Sequence, residues 1–236
     1  MEFDLHIHSK YSYDSLSEPA KIVKVAKKKG LSGIAITDHN TLKGGLEALK
    51  YADDEFLVIV GEEVATDEGE IIGLFLKEEL KSRSALTVIK EIRNQGGISI
   101  LAHPYKRTSR INMEIIKEID AVEGFNSRGK RLGSGDKNRL ALELAQKHNL
   151  PLTAGSDAHF LFEIGRARCI IEKGLSAKEV KQAILNGEAE ISGKVSSIFV
   201  EPFSQLIKMI KLKQPLLFLK GVSKLIYKCL HFKRGN

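Results

Sequence analysis

The chain has 236 residues, 42% hydrophobic and 28% charged, an ordinary globular composition and length enough to bury a full core. Two cysteines in unlike surroundings, Cys169 and Cys229, exclude a disulfide framework and a CxxC metal knuckle and point to a reducing interior. The net charge of +7 does not argue for nucleic-acid binding by the main body: residues 194–236 carry nine Lys/Arg against one acid, Glu201, whereas residues 1–193 carry 28 against 29.

The acidic start Met1-Glu2-Phe3-Asp4 reads as no secretory leader, and no run approaches the ~18 apolar residues of a membrane span. A cytoplasmic protein is expected. In chain order, FDLHI (3–7) reads as a strand. SLSEPAKIVKVAKKKG (15–30) reads as a helix, with Ser17 as N-cap, Pro19 in the first turn and Gly30 after a lysine-rich end. Strand GIAIT (33–37), helix GGLEALKYADD (44–54) and strand FLVIVGEEV (56–64) follow, and EIIGLFL (70–76) reads as a hairpin partner of the last. The alternation resumes with helix 84–96, strand 98–103, helix 112–119, strand 121–125, helix 136–149, strand 150–156, strand 167–172 and helix 176–187. Alternating strands and helices imply an α/β fold with a parallel sheet. The runs IAI, FLVIV and ISIL are apolar on both faces, as a sheet covered by helices requires. About seven such units fit a barrel better than an open sheet.

The candidate functional residues share a position. His6 and His8 end the first strand, two apart and therefore on one face. Asp38 and His39 follow GIAIT, Glu62 and Glu63 end FLVIV, His103 ends ISILA, Glu123 ends its strand, and Asp157 and His159 follow LPLTAGS. Five of the seven histidines thus stand at carboxyl ends of strands, which in a barrel form one face. Taken singly each has a bland reading: Asp38 caps a helix, His103 is a satisfied core histidine, Asp157 forms an Asx turn. Together, six strand ends bearing His, Asp or Glu favour a shared polynuclear metal site. His148 in a helix end and His231 in the basic tail need no such role. Imidazoles and carboxylates without thiolate suit Zn²⁺, Mn²⁺ or Fe²⁺, two or three per chain.

The ordered series DLHIHS, TDHN, GEEV, AHP and GSDAH resembles the PHP (polymerase and histidinol phosphatase) family of metal-dependent phosphoesterases over roughly residues 1–193. The resemblance implies a distorted (β/α)7, TIM-like barrel with up to three metals at the strand carboxyl ends. By the same resemblance, His6, His8 and Asp157 look like ligands of one ion, with Glu63 bridging to a second that includes His103. Asp14, His39 and His159 look like the third set, and Asp38 and Glu123 stand behind the ligands. Many relatives have a histidine where this chain has Glu70, which then ligates in its place or leaves a differently shaped site. The implied reaction is hydrolysis of a phosphate ester by a metal-bridging hydroxide, with His159 or His39 moving a proton. Lys106, Arg107, Arg128 and Arg166, on loops after strand ends, are candidate phosphate clamps. A small phosphorylated substrate, nucleotide or short oligonucleotide end is expected. The alternative is a non-catalytic RNA-binding barrel like the ribonuclease P protein subunit.

Residues 194–236 read as a separate basic amphipathic helical extension. Lys220, Lys224 and Lys228 form one stripe, with Pro215 and Gly221 as breaks. Three readings stand: a helix pair packed on the barrel, a helix lying at the periphery of an anionic membrane surface, or a nucleic-acid-tracking arm.

Overall fold

The computed structural model describes residues 1–106, 110–129, 136–172 and 176–214. The tail positions from Pro215 onward, with Cys229 and His231, and Arg107 lie outside the described residues. Among the described residues nine strands form one sheet: β1 (Glu2–Ile7), β2 (Gly33–His39), β3 (Leu57–Thr66), β4 (Gly69–Leu74), β5 (Ile98–Leu101), β6 (Ala121–Asn126), β7 (Leu152–Gly155), β8 (Ala167–Ile170) and β9 (Glu190–Gly193). Their order is β7-β6-β5-β4-β3-β2-β1-β8-β9. The sheet curls to near closure where Ile7 bridges Ala158 in parallel and His8 N donates to Ala158 O at 2.9 Å. The barrel is not seven plain βα repeats. Strand β3 folds back on β4 through a turn at Gly69 (φ +119°), so both of β4's pairings are antiparallel, as are β1–β8 and β8–β9.

The helices are α1 (Pro19–Lys28), α2 (Lys43–Ala48), α3 (Ala85–Asn94), α4 (Met113–Glu118), α5 (Lys137–His148), α6 (Ala177–Leu185) and α7 (Val200–Lys211). Helix α1 begins after Glu18, not Ser17; proline at its first position needs no N–H partner, and Ser17 Oγ instead donates to His159 O at 3.2 Å. Asn112, Asp136 and Ser176 cap α4, α5 and α6 through side-chain oxygens. Alternation along the strands divides the apolar residues into two layers. Ala35, Ile59, Ile72, Ile100 and Ala154 face inward with Phe3 and Leu5, and α6 packs Val180, Ala183 and Ile184 into that inner cluster. Ile34, Ile36 and Val58 face outward against α1, and Val60, Val64, Ile71 and Leu101 face outward against α3 and α4.

Asp4 ties the seam. Its buried carboxylate accepts from Ser156 N (2.9 Å), Ser156 Oγ (2.6 Å) and Gly165 N (2.7 Å), joining β1 to the chain after β7. Burial nonetheless pushes its pKa up to about 6. Asp4→Ala orphans three donors at the seam and is expected to destabilise the fold by about 3 kcal/mol, measurable as a lowered midpoint in urea.

Candidate metal centre

Strand parity decides which acidic and histidine side chains meet. On β2 and β3 the inward positions continue from Ala35 to His39 and from Ile59 to Glu63, while Asp38 and Glu62 point outward. Glu62 is spent on Leu80 N at 3.0 Å, and burial pushes its pKa up to about 7. Along β1 plain alternation from Phe3 and Leu5 would turn His6 and His8 out. A bulge between Asp4 and Ile7 inserts one residue against β2 and brings both imidazoles into the barrel mouth. A second bulge in β6, between Glu123 and Phe125, lets Glu123 and Asn126 reach the same place although three apart. His103 and Asp157 arrive differently. Both have left-handed backbone (φ +26° and +53°), which re-aims side chains that alternation would direct away.

Three donor groups result, and they overlap. His6, His8 and Asp157 form one; His6, Glu63 and His103, with His39, Glu63 and Glu70, form the middle; His8, Asp14, His39 and His159 form the third. Glu63 is the hub. Its Oε1 lies 3.0 Å from His103 Nε2, and its Oε2 lies 3.0 Å from His39 Nδ1, 3.4 Å from His8 Nε2 and 3.6 Å from His6 Nε2. Asp14 Oδ2 lies 3.2 Å from His159 Nε2 and 3.4 Å from His39 Nε2. Burial would raise the carboxyl of Glu63, but His39, His6 and His103 hold it well below the usual range; Lys106 and His6 do the same for Asp157.

The hydrogen-bond network shows that this cluster fits cations. His6 Nδ1 stands 2.8 Å from Glu123 Oε1, a pure acceptor, so Nδ1 carries the hydrogen. Ser12 Oγ gives its hydrogen to Asp38 (2.8 Å) and so accepts from His8 Nδ1 at 3.0 Å. Both Nε2 atoms are thereby left as lone pairs, and they face each other at 3.1 Å. Such a pair requires a metal ion or an extra proton between them. Without metal the proton falls on His6: burial disfavours its charge, but Glu123, Glu63 and Asp157 raise its pKa well above the ordinary value. Burial and the neighbouring His159 and His39 lower His8 to about 3. Asp14 Oδ1 is buried with no hydrogen-bond partner, a further oxygen waiting for a cation.

The supporting shell matches only part of what the sequence led us to expect. Asp38 accepts from Ser9 N, Ser9 Oγ and Ser12 Oγ at 2.6–2.8 Å and so fixes the loop behind His8. Glu123 orients His6 and also takes His103 N at 2.8 Å. Lys106 reaches the site, its Nζ 2.5 Å from Asp157 Oδ2. Arg128 lines the cleft, but its Nε and Nη2 clamp Glu163 at 2.9 and 2.5 Å. Arg166 does not reach the cleft and is no clamp there: its Nη2 donates to Val195 O at 2.8 Å, and it lines a separate groove with Glu2, Arg168 and Lys194. Ser12, Asn126 and Glu163 went unrecognised in the sequence. Glu163 is fully buried and holds both Arg128 and His159 N (3.1 Å), yet in the sequence it stands in an unremarkable LFEIG. For Ser12 the available signal was its place four residues after His8.

Comparison with known proteins follows the same line. Residues 135–189 match the model described as PHP-associated. An uncharacterized protein of Methanocaldococcus jannaschii is 43% identical over 164 residues, which is 62% of this chain and 95% of that relative. This chain belongs to the PHP family. Its fold matches that of a two-domain Bacteroides vulgatus protein described as containing a predicted PHP-like metal-dependent phosphoesterase, with a TM-score of 0.71 at 20% identity over 82% of this chain and 65% of the other. Ribonuclease P protein component 3 of Methanococcoides burtonii is 25% identical over 202 residues, 78% of this chain and 82% of that protein.

Proposed function

We propose that this PHP-family chain hydrolyses phosphate esters, using two or three divalent ions (Mn²⁺, Zn²⁺ or Fe²⁺) and acting on a small phosphomonoester, a nucleotide or a short oligonucleotide end. The observation that carries the reading is the facing pair of Nε2 lone pairs on His6 and His8, inside donor groups that share Glu63. His6, His8 and Asp157 would hold one ion, Glu63 with His103 and Glu70 a second, and Asp14, His39 and His159 a third. When bound, divalent ions here lower the pKa of water and neutralise phosphoryl charge. The protein's own groups do the rest. Lys106 keeps its charge because Asp157, Glu70 and Glu63 outweigh its burial, and it offers that charge to an incoming phosphoryl oxygen. His159 suits proton transfer better than His39. Its Nδ1 is 2.9 Å from Asp157 O, which fixes the hydrogen there and, when two ions are bound and the third position is empty, leaves Nε2 for the proton. His39 is held between Glu63 and Asp14, which outweigh its burial and raise it to about 10, so it keeps its proton too firmly while no metal is bound.

The RNA-binding reading has the resemblance to the ribonuclease P component in its favour, but a scaffold does not need nine converging donor side chains. Phosphate release from a panel of aryl phosphate, histidinol phosphate, nucleotides and 5′-phosphorylated oligonucleotides, with Mn²⁺, Zn²⁺ or chelator, tests the assignment. Chelator-sensitive turnover of one class is expected. A folded protein that binds no metal would send the assignment to the RNA scaffold.

A further inference from the structure

Helix α7 lies across the mouth of the metal cleft, and its amphipathy is reversed for a helix that covers a barrel. Glu201, Ser204, Gln205, Lys208 and Lys211 share one face by helical spacing, and that polar face is turned to the site. Glu201, Ser204 and Gln205 line the cleft, and Arg128 Nη1 donates to Ser204 Oγ at 3.0 Å. Lys208 Nζ stands 4.2 Å from the centre of the Tyr13 ring, which stacks on His39 at 4.4 Å. Lys211 Nζ donates to the carbonyls of Lys10 (2.6 Å), Ser12 (2.6 Å) and Ser15 (3.1 Å), in the loop that carries Asp14. The opposite stripe is Phe203, Leu206, Ile207 and Ile210. Phe203 is 48% exposed, Ile210 64%, and Leu212 just beyond the helix 43%.

With α7 in this position the cleft is partly open to solvent, and α7 covers one side of it. Displacing α7 would widen the way to the metal ligands. The other walls are strand ends and the loops they carry. Helix α7 is held to the cleft by polar contacts, which water replaces at small cost, and by Val200 and Pro202, buried at its first turn. Buried Val200 and Pro202 anchor its start, and the Lys211 hydrogen bonds hold its end.

We propose that α7 is a lid that leaves the cleft by laying its apolar stripe on an anionic lipid bilayer. Charge favours this occupant: Lys211 and Lys213 flank the carboxyl end of the stripe, and residues 194–236 carry nine Lys/Arg against one acid. An apolar stripe beside an excess of lysine is the pattern of an interfacial helix, whose lysine stems reach headgroups while the stripe sinks beneath them. The proposal rests on the phosphoesterase reading only for its turnover measurement.

The test uses the full-length, metal-loaded protein with phosphatidylcholine vesicles, with and without phosphatidylglycerol. Sedimentation with vesicles, the rate of metal extraction by chelator and aryl phosphate turnover are read in parallel. The protein is expected to sediment only with phosphatidylglycerol vesicles, which speed both metal extraction and turnover. Ile210→Glu should weaken sedimentation at least about tenfold while leaving basal turnover unchanged, and Phe203→Asp should do likewise. Lys211→Ala should speed metal extraction and turnover without vesicles. Extraction that Lys211→Ala leaves unchanged overturns the lid. Sedimentation that neither stripe variant weakens overturns the bilayer as occupant, and so does a dimer in solution that Ile210→Glu splits, because a second copy then covers the stripe. If sedimentation and extraction behave as expected while no phosphate ester turns over, the phosphoesterase reading fails and the lid stands.

Discussion

Glu63→Gln is expected to empty the metal centre and abolish turnover while leaving the fold intact. One carboxylate approaches four imidazoles, His103 and His39 at 3.0 Å, His8 at 3.4 Å and His6 at 3.6 Å. The amide keeps the shape, removes the charge and presents hydrogens to ring nitrogens that need an acceptor or a shared cation. The loss should exceed the ~10–100-fold that removal of an outer partner of a metal ligand commands. The neighbouring Glu62→Gln is the control. Glu62 points out of the barrel to Leu80 N and is pushed up to about 7, so its neutral isostere should retain metal and turnover. Metal content by elemental analysis, turnover and the far-ultraviolet spectrum of the two variants decide the matter. Equal metal content in both would remove Glu63 from the centre of the site.

The contrast between these two adjacent glutamates shows what the sequence made legible. The order of elements, the β3–β4 hairpin and the ring of His, Asp and Glu at strand ends follow from periodicity and position, which are local properties. The aim of each side chain is not local. Plain alternation from Phe3 and Leu5 points His6 and His8 outward, and only the bulge against β2 turns them in. His103 and Asp157 depend on left-handed backbone, which His and Asp adopt more often than most side chains but too seldom to be assigned from sequence. Strand β9, EISG, is four residues at the edge of the sheet and mostly exposed, too short to have a period, and it was not anticipated. Arg128 and Arg166 look alike in the sequence, each just past a strand end or turn. Only the path of the chain through Glu163 brings one to the cleft and leaves the other on an outer groove. The polar face of α7 reads as a solvent face until the site beneath it is seen.

The affinity for each of the two ions that His6 and His39 would hold should rise with pH, by about tenfold per unit through neutrality, because each displaces one proton. The sign follows from the two histidines. Burial opposes charge on both, yet Glu123, Glu63 and Asp157 raise His6 well above its ordinary pKa, and Glu63 and Asp14 raise His39 to about 10. Without metal each therefore holds an extra proton at pH 7. The ion at His6 and the ion at His39 each need a ring lone pair, so those two protons must leave. His8, lowered to about 3, has none to give. Raising the pH removes the competing protons and strengthens binding; lowering it does the opposite. Calorimetric titration with Mn²⁺ in buffers of different ionisation enthalpy counts the protons directly. About two released per chain at pH 7 is the expected result. A count near zero would mean that the imidazoles already stand neutral, with the space between His6 and His8 held by something other than a proton.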